Sequence, residues 1–496
     1  MKIVRNIILW AVLAITVAAP RWVSAQNSRV PWHWQNKWWN SYLEQAMLPI
    51  YLTFQPNVDI VGESTSLSLA PMLISPLQSK QPIAPTQWDY RNDTLIFLQS
   101  QLGLRIVLAY NNADSSFAGV FRQGMYKAHQ VFSSVDSLYT FPRPQTPEEP
   151  FNFVEEPFKV SRTDRQGRTV VLEGTLTLPK PVLGDELSKK RTYPAVLLVS
   201  GSGQQDRNEE LFLHQPFLVV ANYLASQGYA VLRYDDRGIG GSVGDVEEAT
   251  TLDFADDAEA LFNQLRKHPR IDAQRVSIMG HSEGGTIAAI VASRNRKVHS
   301  MVMLSGTACK GDEVLLQQNE ALFLASGVSP QLVEVRVATM REIFEAASRI
   351  DPGRYHEVFT SIVDKHVASL GHDQRDSIGF GKGYAYSLVQ QMKMPWMRTF
   401  LSIDPMAYLS KVRCPVTAFF NERDIQVLAQ PNALRMQSVP TAVVVLNQGL
   451  NHMFQHCSEC TVKEYAYIEE TFAPEVLQLL VPALEGTLRN QAPLQR

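Results

Sequence analysis

The spacing of apolar residues changes twice along this chain, and each change marks a change of architecture. Between about residues 26 and 140 the runs are short and alternating, as in Asn92–Leu98, Leu104–Tyr110 and Phe117–Phe121, with Gly, Asn, Asp and Pro between them. Period-two runs separated by turn formers predict a small amino-terminal all-β domain over 26–140. Phe141–Pro150 then carries four prolines in ten residues. That composition holds the backbone extended, so 141–157 is expected to be a linker. After it, Thr169–Pro179 suits a first strand. Ala195–Ser200, Ala230–Tyr234, Val276–Met279, Ser300–Leu304, Val416–Asn421 and Ala442–Leu446 suit further strands, with helical stretches such as Phe254–Lys267 between them. Strand and helix in alternation predict an α/β fold, a parallel sheet covered on both faces. The alternation breaks once. From about Lys310 to Phe400 no run suits a strand, while Glu313–Ala325, Pro330–Ala347 and Tyr355–Leu370 have helical spacing. Residues 310–400 are therefore expected to form an inserted helical lid that divides the core into 158–309 and 401–496.

The first 25 residues differ in kind. Lys2 and Arg5 precede an apolar run from Ile7 to Ala19, and Val23-Ser24-Ala25 offers small residues for cleavage before Gln26. The run is shorter than the ~20 residues a membrane-spanning helix needs, so 1–25 is expected to be a signal peptide. The mature protein would be periplasmic or extracellular, with no stable membrane span. Its removal deletes Lys2, Arg5 and Arg21 and no acid, taking the net charge from −3 to −6. A mildly acidic surface gives no electrostatic reason to expect nucleic acid as a partner. With 45% hydrophobic and 19% charged residues over 496 positions, the chain is a folded globular protein of more than one domain.

The most informative stretch is Gly280-His281-Ser282-Glu283-Gly284-Gly285. It follows the apolar Val276–Met279 and precedes the small-residue helical run Thr286–Ala292. A Gly-x-Ser-x-Gly turn between strand and helix is a nucleophile elbow, in which the glycines allow close packing and the serine is held proud of the sheet. A serine hydroxyl needs a base within reach and a group that orients the base. Asp424, in the loop after Val416–Asn421, suits the orienting acid, with Glu422 second. His452, in the loop after Ala442–Leu446, suits the base, with His456 as the fallback. His281 is excluded as base, because the elbow aims it away from the serine, but a supporting role stays open. The proposed insertion accounts for the long separation of Ser282 from Asp424. Oxyanion donors are expected from the backbone N–H of Glu283 and from Ser202 or Gly203, in the Gly-Ser-Gly loop after Ala195–Ser200. Arg233–Ser242 lacks the last glycine of a dinucleotide-binding loop, where Val243 stands, and is taken as a structural loop.

Two other clusters admit simpler explanations. Trp32, Trp34, Trp38 and Trp39 could stack on sugars, but aromatic clusters of this kind are more often core filling. Cys457-Ser458-Glu459-Cys460 could be a short disulfide, a redox pair or half of a zinc site, and zinc would need further ligands at suitable spacing. No metal or cofactor is expected.

Ser200–Arg207, Arg233–Ser242, Gly280–Gly285 and Leu450–Gln455 together resemble the α/β-hydrolase superfamily. Within it the chain looks like exported bacterial carboxylesterases of the esterase D type, with a core related to dienelactone-hydrolase-like and serine-aminopeptidase-like proteins. The resemblance spans roughly Phe158 to Leu480, and it implies Ser282 as nucleophile, Asp424 as acid and His452 as base. Such proteins often carry glycine where this chain has Asn421. The expected function is hydrolysis of small-molecule carboxylic esters of short to medium acyl chain through an acyl-enzyme on Ser282. A serine peptidase on the same fold is the alternative, with Glu283 or Glu320 to capture a substrate amine. A third possibility is a binding protein that works through its Trp-rich amino-terminal part.

Overall fold

The computed structural model describes residues 30–489 apart from 44–47, 62–63, 78–81, 124–125, 182–190 and 382. The expected signal peptide lies outside the described residues. The chain divides into two compact units, Met1–Pro142 and Arg143–Arg496.

The first unit is one antiparallel sheet of eight strands. They are β1 (Trp38–Leu43), β2 (Leu48–Val61), β3 (Ser64–Ile74), β4 (Gln87–Arg91), β5 (Thr94–Gln99), β6 (Leu104–Asn111), β7 (Ser116–Gln123) and β8 (Tyr126–Val135), in the order β3-β2-β1-β8-β7-β6-β5-β4. The alternating runs of the sequence correspond to β5, β6 and β7. Pro49 and Pro56 punctuate β2, which hides that strand from a propensity argument. Alternate positions turn to one face, where Trp34 and Trp39, each 1% exposed, pack with Phe54, Phe97 and Phe117. The Trp34 ring lies 4.5–5.5 Å, centroid to centroid, from Trp39, Phe54, Tyr90, Tyr110 and Phe117. Two tryptophans of the cluster are thus core filling, whereas Trp32 is exposed.

The second unit is built on a mixed sheet. Its strands are β9 (Phe153–Thr163), β10 (Thr169–Pro179), β11 (Tyr193–Val199), β12 (Ala230–Tyr234), β13 (Ile271–His281), β14 (Met301–Leu304), β15 (Val416–Asn421) and β16 (Ala442–Asn447). Their order is β16-β15-β14-β13-β11-β12-β10-β9. The neighbours from β12 through β11 to β16 are parallel, whereas β9 and β10 add an antiparallel edge. Strand β9 starts inside the segment expected to be linker, and its Pro157 is tolerated because β9 is an edge strand with one side free of ladder bonds. The start of the Pro-rich segment is also tied down. Arg143 donates to the carbonyls of Phe212, Ala466 and Ile468, and Gln145 bonds Thr471 and Phe472.

Helices cover both faces of this sheet. On β11, Ala195, Leu197 and Val199 meet α2 (Thr251–Leu265) and α3 (Glu283–Arg294), while Val196 and Leu198 meet α1 (Pro216–Ser226) and α12 (Pro474–Leu484). Burial on both sides is why the parallel strands read as unbroken apolar runs. Helix α2 starts at a capping box, Thr250 with Asp253, and α1 and α12 start with proline at a position where no N–H is needed.

Between β14 and β15 the chain is helical: α4 (Gly311–Ala325), α5 (Pro330–Ala347), α6 (Tyr355–Val367), α7 (His372–Ser377), α8 (Tyr384–Lys393), α9 (Pro395–Ser402) and α10 (Met406–Leu409). Helix α11 (Ala429–Met436) follows β15. The insertion has its own polar centre. Arg336, buried, donates to Asn319 Oδ1 and to the Ile378 carbonyl, with its guanidinium 4.2 Å from the Phe323 ring centroid. Burial lowers its pKa to about 10.

Trp34→Ala is expected to cost ~3–5 kcal/mol, because collapse cannot refill a space bounded by so many rigid rings. Chemical denaturation followed by circular dichroism would measure it.

Candidate active site

Strand β13 ends at His281, α3 begins at Glu283, and Ser282 alone makes the turn at φ 53° and ψ −122°. Left-handed φ in a residue with a side chain is strained, and here the surrounding packing imposes it. A Cβ on Gly280 would stand 2.0 Å from the Gly284 carbonyl oxygen, and one on Gly284 would stand 2.2 Å from the Val199 carbonyl oxygen. Only glycines let strand, helix and β11 approach so closely. The serine is half-buried at the amino end of α3, where the helix dipole favours negative charge.

The Gly-Ser-Gly loop lies beside it. A Cβ on Gly201 would meet Ser282 Cβ at 3.0 Å. The Gly201 N–H is engaged, donating to Glu209 Oε1 at 2.8 Å. Among the described residues the backbone N–H groups of Ser202, Gly203 and Glu283 have no protein acceptor. They are the candidates from which the sequence reading drew its two oxyanion donors, Glu283 with Ser202 or Gly203. The loop is held from below by Asp236, a residue the sequence reading missed. Its carboxyl oxygens accept from Ser200 Oγ at 3.2 Å and from the Gln205 N–H at 3.1 Å, and burial pushes its pKa well above the usual carboxylate range. Arg207 and Asp235 pair at 2.6 Å, and Arg237 pairs with Asp257 at 2.7 Å. Arg233–Ser242 is thus a structural loop braced by ion pairs.

Asp424 and His452 meet. Asp424 Oδ2 is 2.7 Å from His452 Nδ1, both residues being buried, and Asp424 Oδ1 accepts the N–H groups of Gln426 and Val427 at 2.8 and 2.9 Å. Glu422 is exposed. His456 is exposed too and pairs with Glu470 and Glu475, away from the site. Asn421 has a structural role: its amide nitrogen donates to the Asn451 carbonyl at 2.7 Å and its amide oxygen accepts from Asn447 at 2.8 Å. It thereby ties the end of β15 to the loop that carries His452. Among the described residues no hydrogen bond joins Ser282 Oγ to His452.

The two neighbours of Ser282 reach in opposite directions. The His281 ring is 4.8 Å from that of His452, and its nitrogens face Glu209 and the His452 carbonyl. Glu283 is buried and accepts from Thr251 Oγ1 at 2.6 Å, Ser202 Oγ at 2.7 Å and Trp396 Nε1 at 3.0 Å. Burial raises its pKa and the three donors only partly offset that. Trp396 belongs to α9, so the insertion touches the elbow directly. Nothing in the helical spacing around Trp396 signalled this contact. Glu209 could have been suspected from its place just after the Gly-Ser-Gly loop. Cys457 and Cys460 form a disulfide, and Glu464 caps the backbone N–H groups of Ser458, Glu459 and Cys460.

Residues 215–352 match the family described as serine aminopeptidase, S33. Over 175 residues the chain is 31% identical to esterase EstD of Thermotoga maritima, a match covering 35% of this chain and 40% of that protein. These two matches support an α/β-hydrolase, esterase-like family for this chain. The chain thus spans about two fifths of the length of EstD in this match. It is also 24% identical over 200 residues to an uncharacterized 31.7 kDa protein of the traX–finO intergenic region of Escherichia coli, covering 40% of this chain and 63% of that one. Among solved structures, the Pyrococcus furiosus esterase PF2001 aligns with 70% of this chain and 97% of its own chain at 16% identity and a TM-score of 0.39.

Two outcomes follow from these contacts. Gly284→Ala should destabilise the protein at the upper end of the ~1–3 kcal/mol typical of overpacking, since backbone and not a mobile side chain opposes the new methyl. Differential scanning calorimetry would read the loss. His214 packs beneath the His452 loop, 2.8 Å from Thr471 Oγ1, and burial lowers its pKa to about 3. The folded state therefore binds fewer protons than the unfolded one below the ordinary value of 6.5. Stability should fall as pH drops from that value towards 3, by up to ~1.4 kcal/mol per pH unit from this group. Urea midpoints across that window, in the wild type and His214→Gln, would show it as a slope that the variant lacks.

Proposed function

We propose that this hydrolase cleaves carboxylic esters through an acyl-enzyme on Ser282, with His452 as base, Asp424 as its orienting acid and the N–H groups of Glu283 and of Ser202 or Gly203 as oxyanion donors. The observation that carries the proposal is the strained turn at Ser282 beside a buried Asp424–His452 pair closed at 2.7 Å. His452 takes the hydroxyl proton and the alkoxide attacks the carbonyl carbon. The tetrahedral oxyanion then accepts hydrogen bonds from donors that have no other protein partner among the described residues. Collapse expels the alcohol with the proton from His452, and a water activated by the same ring releases the acid. The Ser282–His452 hydrogen bond forms as substrate binds, as is common for catalytic contacts in unliganded enzymes.

The helical insertion acts as a lid in this proposal, because Trp396 anchors it to Glu283 beside the nucleophile. Short to medium acyl chains are the proposed substrates. Export is proposed as well, and the Cys457–Cys460 disulfide suits an oxidising compartment.

The match to the serine aminopeptidase description supports a second proposal, peptide cleavage on the same triad. It is the weaker of the two. Glu283, one candidate for amine capture, is already committed to Thr251, Ser202 and Trp396, and Glu320 is exposed on α4.

Hydrolysis of p-nitrophenyl acetate, butyrate and decanoate is expected, with faster turnover of the two shorter esters and none of aminoacyl p-nitroanilides. Ser282→Ala should lower kcat by about 10⁶-fold and Asp424→Asn by about 10⁴-fold, by analogy with triad variants elsewhere. Turnover confined to the anilides would establish the peptidase, and ester turnover that survives Ser282→Ala would remove both proposals.

A further inference from the structure

Two buried side chains beside Ser282 have no part in the chemistry set out above. His281 and Glu209 are 6% and 5% exposed. His281 Nδ1 lies 2.9 Å from Glu209 Oε1, and Nε2 lies 3.1 Å from the carbonyl oxygen of His452. A carbonyl oxygen can only accept, so Nε2 carries a hydrogen. The same Oε1 that faces Nδ1 accepts the Gly201 N–H at 2.8 Å, and a carboxylate oxygen also can only accept. Beside a carboxylate both ring nitrogens would carry hydrogens, which makes the ring an imidazolium.

The groups facing the ring agree. They are Glu209, the His452 ring at 4.8 Å with Asp424 behind it, and the edge of Phe454 at 6.3 Å. Burial lowers the His281 pKa, but the charge and hydrogen bond of Glu209, the His452 carbonyl and the charge of Asp424 outweigh it, and the net direction is upward. Glu209 has a second consequence. A bare imidazolium at this distance would oppose the positive charge that His452 acquires when it takes the serine proton, and the carboxylate cancels it.

We propose that His281, kept as an imidazolium by Glu209, is a positioning residue that locks the His452 loop and the Gly201 loop to the two sides of Ser282. The inference rests on the roles proposed for Ser282 and His452. Glu209 binds Gly201 and His281 through one oxygen, and His281 binds the residue that carries the base, so one ion pair sets the separation of oxyanion loop and base. Because the pKa is raised, the charged form is complete below the ordinary histidine value and is lost as pH rises through the folded value. The lock therefore fails on the alkaline side.

Glu209→Gln keeps an oxygen that can accept both N–H groups and removes the charge. In protein labelled with ¹⁵N-histidine, the wild type should show both His281 nitrogens protonated at neutral pH, with His281→Asn supplying the assignment. Glu209→Gln should leave one nitrogen bare, lower kcat on the order of 10²-fold with KM nearly unchanged, and move the alkaline fall of kcat to lower pH. A bare His281 nitrogen in the wild type at neutral pH, or a variant with wild-type kcat and alkaline limb, overturns the inference. Should the variant fail to fold, the wild-type titration alone decides. Fluorophosphonate labelling read by mass spectrometry separates the two proposals. An unlabelled Ser282 removes the serine-hydrolase proposal and the positioning role with it, whereas a labelled Ser282 beside a neutral His281 removes the inference alone.

Discussion

The turn at Ser282 is the constraint on which the rest of the site depends. A buried strand ends and a buried helix begins with one residue between them, and backbone atoms of Gly284, Gly285, Val199 and Ser200 fill the space that side chains at Gly280 and Gly284 would need. The φ of 53° at Ser282 is the cost of that connection, and the packing of α3 against β11 and β13 offsets it. In return the hydroxyl stands at the helix amino terminus beside the Gly-Ser-Gly loop, and its flanking side chains are thrown to opposite sides. His281 is sent towards the late loops and Glu283 towards α2 and the insertion.

Those flanks explain why so many acidic side chains are buried here. An isolated buried carboxylate is expensive, and each one near the elbow is supplied with donors. Asp424 receives two backbone N–H groups and His452, Asp236 receives Ser200 and Gln205, and Glu283 receives Thr251, Ser202 and Trp396. The donors come from segments distant in sequence, so each carboxylate pins loops that the sheet alone would leave loosely placed. Asn421 does the same with a neutral amide, joining the ends of β15 and β16 to the His452 loop. Burial thus serves to fix geometry where apolar side chains, which lack direction, could not.

The remainder of the chain solves its packing separately. The first unit is centred on rings that meet edge to face or tilted, the arrangement aromatic quadrupoles prefer, so its tryptophans are consumed by the core. The insertion is organised around Arg336, which bridges α4, α5 and the turn after α7 with neutral acceptors and aromatic faces in place of a carboxylate. A guanidinium is suited to that role, since its charge is spread over a plane that can stack.

By itself the sequence determined what local pattern can encode. Two-sided burial wrote the parallel strands as apolar runs, small residues at fixed offsets wrote the elbow, and the sequence order of late strands placed Asp424 and His452 in consecutive loops, where they meet at 2.7 Å. Strands interrupted by proline, β2 and β9, escaped because propensity there opposes tertiary pairing. Glu209, Asp236, Thr251 and Trp396 escaped for a different reason. A carboxylate or an indole in a loop or helix looks the same in sequence whether it is solvated or buried. Only the folded chain decides which donors reach it, because those donors arrive from other strands and helices through distances that sequence spacing does not carry.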